Sequence, residues 1–103
     1  MRILLLSFFL LCSAACISSC ERVHGSWQRL QAETAYNQQN YQKAIEIYRK
    51  LIKTSPGDGT LHWKLGIAYY SNGDLDRART QIKELKKHGR DDLANDLSQL
   101  FEK

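Results

Sequence analysis

Beyond residue 20 the sequence contains no cysteine; all three, Cys12, Cys16 and Cys20, lie at its amino-terminal end. That excludes a disulfide framework and a thiolate metal site for the remainder. The i, i+4 spacing of the three would put them on one helix face, but a hydrophobic leader is a poor setting for three metal ligands. Proline occurs once, at Pro56, so long stretches run free of helix-breaking residues. The apolar run near the start falls short of the roughly 20 residues that cross a bilayer as a helix. There is no Gly-rich phosphate loop, no His-x-x-x-His pair and no Gly-x-Ser-x-Gly elbow. His24, His62 and His88 are far apart in sequence, with no cysteine or clustered carboxylates beside them. His88, beside Gly89, reads as a helix C-terminal residue interacting with the dipole. Asp91 and Asp92 are neighbours in sequence, do not share a helix face, and suit a helix start better than acid–base work. The expectation is a protein that is not an enzyme, with no cofactor, no metal and no small-molecule substrate.

Charge of one sign is also scarce. The formal net charge is +4, and the excess gathers late, in Arg77, Arg79, Lys83, Lys86, Lys87 and Arg90. That pattern reads as a solvated helix face, or one lying near anionic headgroups, rather than a nucleic-acid surface.

What the sequence has first is an export signal. Met1-Arg2 is followed by Ile3 to Leu11, almost wholly Leu, Ile and Phe, and then by small residues through Ser19. Ile17-Ser18-Ser19-Cys20 resembles the lipobox of bacterial lipoproteins: a branched apolar residue, two small ones, then cysteine. The resemblance implies diacylglycerol on the Cys20 thiol, cleavage before it, and acylation of the new amino terminus with fatty acids such as palmitate. One acyl chain holds a protein marginally, whereas two or more give stable attachment. Cys16, after Ser13-Ala14-Ala15, is a second candidate, with Ser in the branched-apolar place. Ordinary cleavage after Ala15, giving a soluble periplasmic or secreted protein, and retention as an uncleaved anchor are the other readings. Glu21, rather than Asp, after the cysteine implies the periplasmic face of the outer membrane rather than the inner membrane.

The organisation expected is a signal at 1–19, a linker at 20–25, two helical repeats at 26–58 and 59–90, and a capping helix at 91–103. Punctuation falls at Gln39-Asn40, Ser55-Pro56-Gly57-Asp58-Gly59, Asn72-Gly73-Asp74 and His88-Gly89-Arg90-Asp91. Helices are predicted over Ser26–Gln38, Tyr41–Thr54 capped by Asn40, Thr60–Asn72 preceded by Asp58, Leu75–Lys87 capped by Asp74, and Asp92–Phe101 capped by Asp91. Tyr41 aligns with Leu75, Ala44 with Ala78, Tyr48 with Ile82 and Leu51 with Leu85, each pair 34 positions apart. Leu93, Leu97, Leu100 and Phe101 give the last helix one apolar face. That suits a cap better than a free interaction helix, because a repeat array needs a polar outer face at its end.

These residues resemble the tetratricopeptide repeat, whose period is 34 residues. Leu65-Gly66-x-Ala68-Tyr69, with Gly73, Leu75, Ala78, Ile82 and Leu85, carries the likeness in the second repeat. Ala32, Tyr36, Tyr41, Ala44, Tyr48, Leu51 and Pro56 carry it in the first. Gln31 replaces a usual Leu, Arg90 a usual Pro, and the early aromatic is shifted by one, at Trp27 and Trp63. The family implies an all-α fold of tandem antiparallel hairpins with a concave groove lined by Arg29, Glu33, Tyr36, Asn37, Trp63, Lys64, Ile67 and Tyr70. Trp63, Ile67 and Tyr70 fall on one stripe, which reads either as open groove or as core beneath the last helix. Arg29 and Lys64 resemble half of the family's clamp for a partner's carboxyl terminus, but Glu33 stands where an Asn belongs and a third repeat is missing. The implied role is protein binding: a lipoprotein adaptor for a protein or peptide of the bacterial cell envelope, as in outer-membrane assembly, secretin or pilus assembly, or polysaccharide export. The alternative is a structural subunit that self-associates. Two repeats and a cap bury little surface, so modest stability is expected unless a partner or a second copy adds to it.

Overall fold

A computed structural model describes residues 25–102; the export signal, the lipobox and the first residues of the linker lie outside them. The described residues are helical with no strand. Residues 25–37 form α1, followed by α2 (Tyr41–Thr54), α3 (Gly59–Ser71), α4 (Leu75–Lys87) and α5 (Asp91–Ser98), which tightens into a 3-10 turn at Gln99–Phe101. The protein is thus all-α, with α1/α2 and α3/α4 as successive hairpins and α5 closing the carboxyl-terminal end.

One turn recurs three times and sets this layout. Gln39, Gly73 and Gly89 each take a left-handed φ, of 63°, 84° and 73°. The next N–H returns five residues, from Asn40 to the Ala35 carbonyl, Asp74 to Tyr69 and Arg90 to Leu85, at 2.8 to 2.9 Å. This is the Schellman closure, which satisfies the last carbonyls of a helix. The residue that follows opens the next helix. The Asn40 and Asp74 side chains accept from Lys43 and Arg77 N–H groups, as an N-cap should. At α5 the expectation fails. Arg90, not Asp91, is the N-cap, with no side-chain cap bond. The Gly89 turn uses Arg90 to complete its closure, so helical geometry already begins at Asp91. The Arg90 guanidinium turns to Asp92 instead.

Small residues mark the crossings. Ala32, Ala44, Ala78 and Ala94 are fully buried, and Ala44 and Ala78 occupy matching places on α2 and α4. Gly66 allows the closest approach: a Cβ there would stand 2.4 Å from Leu97 Cδ2 and 3.2 Å from Gln81 Cβ. The core runs from Ala32 and Ala35 through Ile45, Tyr48, Leu51, Leu61 and Leu65 to Tyr69, while Leu85, Ala94 and Leu97 form a second cluster under α5. Two tyrosines show why α5 acts as a cap. Tyr36 Oη lies 2.9 Å from Ser71 Oγ, bonding α1 to the first helix of the next hairpin. Tyr70, 34 positions on, donates instead to the Leu100 carbonyl at 2.9 Å. The end of α5 therefore stands where a third repeat would begin.

Candidate functional site

α1 and α3 are the first helices of the two hairpins, and a depression of about 240 Å³ lies between them, lined by Glu33, Tyr36, Asn37, Trp63, Lys64 and Ile67. Six of the eight side chains predicted for the groove are therefore gathered in one place. Repeat geometry explains this. Residues three and four apart share a helix face, and equivalent faces of successive hairpins turn to the same side.

The walls are held by polar links. Lys64 pairs with Glu33 across the depression. The Trp63 indole donates from Nε1 to Asp96 Oδ2 of α5 at 2.8 Å. Trp63 and Ile67 also pack on the Leu85–Ala94–Leu97 cluster. They thus present one edge to the depression and the other to the cap. Tyr36 is fixed by Ser71 and by a tilted contact with Tyr41, ring centroids 5.2 Å apart. Beneath lies Tyr48, whose phenol is pushed up to about 12 by burial, then by the nearby charge of Glu33.

Two expected groove residues stand elsewhere. Arg29 is bonded to Asp58 at 2.8 Å and joins the start of α1 to the cap of α3. Burial alone would raise the Asp58 carboxyl. The Arg29 guanidinium and the Thr60 and Leu61 N–H groups outweigh it and hold the carboxyl below its usual range. Tyr70 is drawn under the end of α5, edge-on to Phe101 with centroids 5.2 Å apart. The apolar stripe of α3 thus divides: Trp63 and Ile67 reach the depression, and Tyr70 packs beneath the cap. Both basic groups that would have formed half a carboxylate clamp already have acidic partners within the chain.

Sequence reasoning missed Asp96, because its approach to Trp63 depends on how α5 folds back. It also missed the link made by His62. That buried ring donates from Nε2 to the Pro56 carbonyl at 2.9 Å and meets the Gln81 side chain at 2.9 Å through Nδ1. His88, far from it in sequence, stacks on it with centroids 5.5 Å apart. Glu84 Oε2 lies 3.8 Å from His88 Nε2, but no group of three metal-ligating side chains occurs among the described residues. In the late basic cluster Arg77, Arg79 and Arg90 pair with Asp74, Asp76 and Asp92, as a solvated face would. No helix among the described residues is long and apolar enough to cross a membrane.

Comparison with known proteins agrees with this architecture. The family profile described as tetratricopeptide repeat matches residues 35–98, from the end of α1 to the end of α5. Among curated proteins, Hsc70-interacting protein 1 and Hsc70-interacting protein 2 of Drosophila melanogaster are each 46% identical over 41 residues. That segment is 40% of this chain but only 11% of either relative, so the likeness is confined to a small part of those proteins. No solved structure gives a significant match. With that profile spanning well over half of a chain built from 34-residue helical hairpins, the protein belongs to the tetratricopeptide repeat family.

Proposed function

We propose that the protein is a membrane-held, non-catalytic adaptor of the bacterial envelope, attached through lipid on Cys20, whose α1/α3 groove takes a segment of another envelope protein. One observation carries the binding part: Glu33, Tyr36, Asn37, Trp63, Lys64 and Ile67 come from two repeats yet line a single open depression. Its volume, about 240 Å³, is below the roughly 300–1,000 Å³ of small-molecule pockets and suits one or two side chains of a peptide. An aromatic wall with little entropy to lose, beside exposed polar groups, is the composition of a protein-binding hot spot. The relatives named for interaction with Hsc70 share only a 41-residue segment with this chain, so protein binding is carried over and their partner is not. The lipid part rests on the Ile17-Ser18-Ser19-Cys20 sequence.

The test is affinity capture from detergent-solubilised membranes, comparing the native chain with a variant carrying Asn37→Ala and Lys64→Glu. Neither substitution removes a fully buried side chain, so helicity should be unchanged. Partners should be recovered with the native chain and lost with the variant. Equal recovery would remove the groove from the function. Intact mass of the same preparation reads the lipid directly, and an unmodified Cys20 would end the membrane part.

A further inference from the structure

The groove takes one face of α1; a neighbouring face is open too. Trp27 and Leu30 are 56% and 54% exposed, high values for large apolar side chains. With Gln31, Thr34, Ala35, Gln38 and, from α2, Lys43, they line a second depression of about 200 Å³. At about 100° per residue, Trp27, Leu30, Gln31, Thr34 and Gln38 cluster on one side of α1, while Glu33, Tyr36 and Asn37 centre on the face next to it, roughly 120° round the helix. The cap of α5 covers the other end of the array, so among the described residues this edge is the uncovered end of the repeat stack.

We propose that the Trp27–Leu30 edge seats in the headgroup layer of the membrane that holds Cys20, so that the domain is mounted by this edge with its groove opening to the side rather than into the bilayer. The proposal rests on the lipid reading of Cys20. Cys20 precedes Gly25 by five residues. However those residues run, they span at most about 17 Å, so Trp27 can never be far from the acylated end. A short tether of this kind keeps the local concentration of lipid surface very high. The chemistry of the edge fits that occupant. An indole beside a leucine is what favours the water–hydrocarbon boundary, and Lys43 at the rim complements anionic headgroups. A second copy of the chain fits less well. The two apolar side chains expose only roughly 200 Å², against about 800 Å² per partner in a stable interface.

The test uses full-length acylated protein reconstituted into phosphatidylcholine vesicles, with and without phosphatidylglycerol, whose acyl chains carry bromine as a quencher. The chain has two tryptophans. Trp63→Phe leaves Trp27 as the reporter, and Trp27→Phe leaves Trp63. Trp27 emission should shift to the blue and be quenched, more strongly with phosphatidylglycerol, while Trp63 emission should be unaffected. Adding Leu30→Glu to the Trp63→Phe protein should abolish quenching yet leave sedimentation with vesicles intact, since the acyl chains still hold it. Lys43→Glu should remove only the part that depends on phosphatidylglycerol. Acylated protein whose Trp27 is as unquenched as Trp63 would overturn the mounting and leave the lipid reading standing. A mass without added lipid would overturn both. A blue-shifted but unquenched Trp27, with a concentration-dependent dimer in sedimentation, would assign the edge to a second copy instead.

Discussion

Replacing Gly66 by alanine sets two known effects against each other. In a helix interior, alanine is more favourable than glycine by about 0.8–1.0 kcal/mol, so on local propensity alone the change stabilises α3. The tertiary structure opposes it. The new Cβ would lie 2.4 Å from Leu97 Cδ2 and 3.2 Å from Gln81 Cβ. Leu97 is fully buried against Leu85 and Ala94, and Gln81 is bonded to His62. Neither can move without disturbing α5 or the His62 link. Overpacking of this kind costs about 1–3 kcal/mol, so a net destabilisation of up to about 2 kcal/mol is expected once the propensity gain is subtracted. Leu97→Val supplies the control. It removes the δ carbons that would clash and by itself costs about 1 kcal/mol for one buried methylene. In that background Gly66→Ala should change from harmful to neutral or favourable. Urea denaturation of the four proteins of the cycle, followed by circular dichroism, reads the coupling energy, expected to be about 1–2 kcal/mol. If Gly66→Ala stabilises the native chain, or has the same effect in both backgrounds, the close seating of α5 on α3 is wrong. The support of the groove wall at Trp63 would then be wrong with it.

Three other outcomes follow from single features. Gln39 holds a left-handed φ of 63° where the two equivalent turns use glycine, so Gln39→Gly should raise stability by up to about 1 kcal/mol in a urea melt; a loss would mean that its side chain matters more than its backbone. Tyr48 is raised from 10.0 to about 12, so its contribution is complete below pH 10 and is lost as the pH rises from 10 through 12. At 1.36 kcal/mol per pKa unit that is about 2–3 kcal/mol, and Tyr48→Phe should flatten this alkaline limb of the stability profile. Asp58 is lowered, so its stabilisation is present above the ordinary aspartate pKa and is lost as the pH falls through the depressed value. Asp58→Asn, which keeps a capping side chain, should weaken the acid dependence of the melting temperature, and an unchanged profile would count against the Arg29 link.

The helices were legible because their signals are local. Asn40 and Asp74 sit at N-caps, and Tyr41–Thr54 and Leu75–Lys87 have the boundaries their turn residues predict. The groove was legible in large part, since lining positions follow from helix spacing and repeat period together. It failed at Arg29 and Tyr70, whose partners Asp58 and Leu100 are 29 and 30 residues away. The Arg90 cap was misread for a related reason: the turn closing α4 and the start of α5 compete for the same residue, and the Gly89 geometry decides the outcome.

The sequence alone determined that the chain is a pair of helical hairpins. Turn residues, small residues at crossings and a 34-residue period are properties of neighbouring positions and repeat along the chain. Only the tertiary structure decided where α5 comes to rest, and with it which edge of Trp63 faces outward, why Gly66 tolerates no Cβ, and that Tyr70 is covered. An amphipathic stripe states that a face must be buried or bound. Which of the two happens depends on the distances reached when distant segments fold against it.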